Sequence, residues 1–137
     1  MKAKVIIVSL LMLVFLFGCA GSKYKIMYGV ADWYYTNHVT LQSQYDSATE
    51  EEKAFLRANV NPYMNMLRQA VIAMEAIEAG NIVESSHCAS EILRLATGIE
   101  YDVTRIVEAI KARDYDTLYA EALALKSFII RKLNERR

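Results

Sequence analysis

The sequence predicts an all-α protein, an antiparallel (up-down) four-helix bundle. Three observations lead there. Long stretches repeat apolar residues at alternating spacings of three and four, the period of one helix face. One proline and five glycines among 137 residues, with abundant Ala, Leu, Ile, Glu and Arg, favour helix. The links between periodic stretches are short, and short turns make antiparallel neighbours.

The first helix is expected from about Lys23 to Tyr45. Met27, Ala31, Tyr34, His38, Leu41 and Tyr45 mark its apolar face, broadened by Ile26, Val30 and Trp33. "DSAT" ends it. Thr49 with Glu52 then reads as a capping box, and Glu50-Glu51-Glu52 suits a helix N-terminus. The second helix, about 50–79, buries Leu56, Val60, Tyr63, Leu67, Val71, Met74 and Ile77. Pro62 interrupts it by removing a donor and restraining Asn61, so either the helix kinks or a new segment starts at Asn61. The stripe stays in phase across Pro62, which favours a kink.

The third helix, about 82–112, has the cleanest pattern: Ala89, Ile92, Ala96, Ile99, Val103, Ile106 and Ile110. Gly98 inside it costs about 1 kcal/mol relative to alanine. The fourth, about 114–134, carries Leu118, Ala122, Leu125, Ile129 and Leu133. Two corners match at an offset of 33, "EAIEAGNI" at 75–82 and "EAIKARDY" at 108–115. In each, a helix end meets Asn81 or Asp114, good N-caps, and then an apolar residue. Recurrent hairpin corners explain this more simply than a helical repeat. A homo-oligomeric coiled coil is the rival architecture, because heptads do not say whether their partner is in the same chain.

Ahead of the helices, Lys2 and Lys4 precede a thirteen-residue apolar run, Val5 to Phe17, followed by Gly18-Cys19-Ala20-Gly21-Ser22. Positive, apolar and small-residue regions in that order form a secretory signal. Thirteen residues are short for a span, which needs about 17–25. Leu16-Phe17-Gly18-Cys19 resembles the lipobox of bacterial lipoproteins. The resemblance implies cleavage between Gly18 and Cys19, a diacylglyceryl group on the Cys19 thiol and frequent acylation of the new amine. It also implies, with Ala20 rather than aspartate after the cysteine, an outer-membrane protein facing the periplasm; a host with one membrane would carry it on that membrane's outer face. The expected organisation is therefore signal 1–18, lipidated tether 19–22 and helical domain 23–137. Beyond the lipobox, the chain has the general look of small helical bacterial lipoproteins.

Composition narrows the partners. Removing Lys2 and Lys4 leaves 14 basic against 16 acidic residues, a balance that does not suit nucleic acid. With Cys19 lipidated, Cys88 is the remaining cysteine, so no intrachain disulfide is expected. Cys88 is either a small buried hydrophobe or a thiol available for an intermolecular bridge.

The tether adds an orientation. Four residues between Cys19 and the first helix, at no more than ~3.6 Å each, keep its start near the membrane. In an up-down bundle the fourth helix returns to that side. Tyr24 and Tyr28, with Arg131, Lys132, Arg136 and Arg137, are then candidate membrane contacts, since aromatic rings favour the interface and basic clusters favour anionic headgroups. The rival reading is an aromatic core face and a solvated basic helix end.

Catalytic chemistry is not evident. Glu84-Ser85-Ser86-His87 has the Glu-x-x-His spacing of di-iron bundles, which need two such motifs and two more glutamates. The other histidine, His38, has Tyr35 three residues before it, leaving the ligand set incomplete. Haem-attachment, phosphate-loop and nucleophile-elbow motifs are absent. The expected function is that of a non-enzymatic envelope lipoprotein without cofactor, presenting a helical face to another envelope protein or to its own copies. The alternative is a binding protein for an apolar small molecule or lipid between the helices.

Overall fold

The structure, a computed structural model, describes residues 29–136. The expected signal, the expected tether and residues 23–28 of the first predicted helix lie outside them. Among the described residues every regular element is a helix, with α1 over 29–47, α2 Glu50–Asn59, α3 Asn61–Glu78, α4 Ile82–Ala96, α5 Thr104–Ala112 and α6 Tyr115–Glu135.

The second predicted helix is two segments. Thr49 caps α2 by accepting the Glu52 N–H at 3.3 Å. Val60, at φ −126° and ψ −54°, then separates α2 from α3, and Pro62 sits in the first turn of α3. In an unbroken helix the Pro62 ring would meet the carbonyl of Ala58 and leave it without a donor. Leu56, Val60, Tyr63, Leu67, Val71 and Met74 are nevertheless all buried, so the stripe crosses the break in phase. α3 is the hub, packed against α2, α4, α5 and α6. Its Met66, Leu67, Ala70, Val71, Ala73 and Met74 are 0–1% exposed.

The third predicted helix is also two, and here the four-helix expectation gives way. Thr97 is extended and Gly98 has φ +83°, a left-handed conformation that ends a helix readily only with glycine. The Asp102 carboxylate accepts the Thr104 N–H at 3.0 Å and starts α5. Ala89, Ile92, Val103, Ile106 and Ile110 are buried, and Ala96 and Ile99 half-buried. The apolar spacing therefore reports which side chains turn inward, and the backbone between them is free to break.

That break changes the direction of the last helix. α3 and α4 pack closely across a three-residue link, which makes them antiparallel. In α5 and α6, Arg105 pairs with Glu121 at 3.2 Å across their short link, again antiparallel. Tyr63 near the start of α3 meets Phe128 late in α6, 4.7 Å between ring centroids, so these two also oppose. α1, by contrast, runs with α6. Lys126 lies 5.6 Å from the Trp33 ring, and Arg136 donates to the Gln44 side chain at 3.3 Å. The extra reversal at 97–103 makes α6 parallel to α1, where a four-helix up-down order would oppose them.

Both predicted corners form with the same bonds. Asn81 N–H donates to Ala76 C=O at 2.8 Å and Gly80 N–H to Ile77 C=O at 3.1 Å. Their counterparts are Asp114 to Ala109 at 2.9 Å and Arg113 to Ile110 at 3.1 Å. Asn81 and Asp114 then cap α4 and α6 by accepting the N–H of Glu84 and Thr117.

Candidate functional site

At the end where α1 finishes, α1 and the start of α3 enclose a groove of about 320 Å³. His38, Gln42 and Tyr45 line it from α1, and Asn61, Met64 and Asn65 from α3. Helical spacing puts 38, 42 and 45 on one side of α1 and 61 and 65 on one side of α3. Buried Leu41 and Met64 form the floor. The amides of Gln42, Asn61 and Asn65 make no hydrogen bond among the described residues. Tyr45 is held from α2, where Arg57 donates to its hydroxyl at 3.2 Å and Lys53 lies 5.5 Å from its ring. His38 stacks on Tyr34 with centroids 5.5 Å apart, and burial pushes the Tyr34 hydroxyl pKa up against the opposing effect of Arg68. The groove offers neutral donors and acceptors over an apolar floor. The sequence signal for it was polar amides at i, i+4 beside buried positions, which core-pattern reading passes over.

The described basic residues of the tail, Arg131, Lys132 and Arg136, are engaged within the protein. Arg136 pairs with Glu52 at 3.5 Å as well as with Gln44. Lys132 pairs with Glu135 at 3.4 Å, and Arg131 and Lys132 lie 5.7 and 5.5 Å from the Phe128 ring. Phe128, Tyr63 and Tyr101 form a three-ring cluster that fastens the 97–103 link to α3 and α6. Burial, with Glu121 nearby, raises the Tyr101 hydroxyl pKa, and Arg131 opposes this. Arg136 lies toward the end of α1, away from residue 29. The expectation that the tail shares an end with the start of the first helix is corrected by the parallel course of α1 and α6. Arg137, Cys19, Tyr24 and Tyr28 lie outside the described residues.

Cys88 is 1% exposed. Burial, with the Glu84 carboxylate nearby, pushes its thiol up to about 11. A bridge to another molecule requires an accessible thiolate, so the folded chain does not present Cys88 for one. The neighbouring Glu-x-x-His spacing has a local explanation: Glu84 accepts from the Asn81 side chain at 3.1 Å, completing a cap. His87 is exposed on the same helix. Among the described residues no three His, Cys, Asp or Glu side chains gather as a metal site, and no helix is long and apolar enough to cross a membrane.

No protein-family model, curated protein or solved structure matches the chain.

Proposed function

We propose that the chain is a non-enzymatic cell-envelope lipoprotein, held by acylated Cys19 in the outer membrane on its periplasmic face, whose helical domain is an interaction module. The observation that carries the tether is the apolar run ending at Leu16-Phe17-Gly18-Cys19. For the module, the support is the α1–α3 groove, whose amides make no hydrogen bond among the described residues, placed toward the end of α1. It would receive a segment of an envelope protein or of a second copy. An apolar ligand between the helices is less well supported, since the α3 side chains already fill the interior.

Intact-mass measurement of detergent-extracted, cell-derived protein tests the tether. A residue bearing acyl chains at Cys19 is expected, and Cys19→Ala should release the protein into the soluble fraction. An unmodified residue with release in the absence of detergent overturns the reading. Photo-crosslinking in the native envelope from Asn65, compared with exposed Glu108 on α5, tests the module. A discrete adduct from Asn65 alone is expected; equal labelling from both positions argues against the groove.

A further inference from the structure

We infer that the end of the helical array formed by the two corners rests on the bilayer, with Ile82 and Val83 inserted at the headgroup boundary. This rests on the acylated Cys19 reading. The contacts of Trp33 with Lys126 and of Gln44 with Arg136 put α1 and α6 in parallel at a nearly constant offset. Residue 29 is then level with about residue 122 of α6. The corner at 109–115 extends past it by roughly 10 Å at 1.5 Å per residue. The meeting of Tyr63 with Phe128 brings the end of α3 level with the start of α6, so the corner at 76–82 projects on the same side.

The described chain begins, at residue 29, nearer this side. The ten positions from Cys19 to residue 29 span at most about 36 Å, and the far end, with Glu52 and Arg136, lies roughly another 25 Å beyond residue 29. Residue 29 lies roughly 10 Å from the corner end and roughly 25 Å from the far end, so the corner end is the one that meets lipid on the shorter length of tether.

Its surface suits that position. Val83 is 80% exposed and Ile82 51%, adjacent in the first turn of α4. β-Branched residues contribute little to a helix start, and an exposed pair has no local packing role. The other large exposed apolar residues described, Tyr35, Val39 and Leu93, lie on helix flanks. Lys111 and Arg113 share this end with Glu78, Glu84, Asp114 and Asp116, so the charges do not favour anionic lipid. The contact is apolar insertion into a zwitterionic bilayer, insensitive to salt.

The test uses the acylated full chain in phosphatidylcholine vesicles, with an environment-sensitive dye on Val83→Cys or, for comparison, on Leu93→Cys. Flotation reads the tether, and quenching by lipids spin-labelled near the headgroup reads the contact. The Val83 label should be quenched several-fold more than the Leu93 label, and equally in low and high salt. A chain that floats with both labels equally open to an aqueous quencher overturns this inference alone. A chain that does not float overturns the tether reading and this inference with it.

Discussion

The corners at 76–82 and 109–115 share their turn bonds and the N–H accepted by their cap, and they differ in side chains. At the left-handed position the first has Gly80, φ +70°, and the second Arg113, φ +54°. The first cap is an amide, Asn81, and the second a carboxylate, Asp114. Ile77 is half-buried where Ile110 is buried. The comparison teaches that a helix reversal can be specified by its caps and its inward residues while its glycine is replaced, at a conformational cost of about 1 kcal/mol.

The largest contrast should come from the inward residues. Ile110→Ala is expected to lower unfolding free energy by about 3 kcal/mol and Ile77→Ala by less, measured in urea. Equal losses would remove the distinction in burial. Gly80→Ala should cost about 1–2 kcal/mol by the same measurement. No atom lies within 4 Å of an added Cβ there, so the cost is conformational.

The caps should differ in their response to acid. Asn81→Ala is expected to cost about 1 kcal/mol near pH 6, and the Asn81 amide itself takes up no proton as the pH falls. Asp114 behaves otherwise, because the Thr117 hydroxyl at 2.6 Å and then its N–H hold the carboxyl below its ordinary range. A depressed acid contributes fully above its unfolded pKa and loses that contribution as pH falls through the folded value. The deficit of Asp114→Ala should therefore shrink under acid, and a constant deficit would sink the assignment. The smallest effect is Arg113→Gly, a gain below about 1 kcal/mol, because glycine relieves the strain but frees the unfolded chain. A loss would mean that the arginine side chain supports the turn.

Much of this was legible in the sequence. Thr49, Asn81 and Asp114 cap helices as their residue types indicate, and the offset of 33 identified a real structural match. The left-handed residue at Arg113 was hidden because no glycine marks it. Gly98 was visible but outweighed: Ile99 and Val103 keep the 3–4 rhythm because they still point inward from a non-helical link. The tail followed from that, since one unrecognised reversal exchanges the ends of every later helix. In the groove, Gln42 belongs to α1 and Asn61 and Asn65 to α3, and only the packing of the two helices brings them together.

The three-ring cluster has a consequence for the order of assembly. Each corner joins residues a few positions apart and forms on the timescale of local helix pairing. Tyr63 and Phe128 are 65 positions apart, so their meeting must wait for a large loop to close. A chain truncated before Phe128 would still make both corners but hold Tyr101 without its Phe128 contact, leaving that segment less firmly docked on Tyr63. Proteases acting during synthesis or export would find their first substrate there.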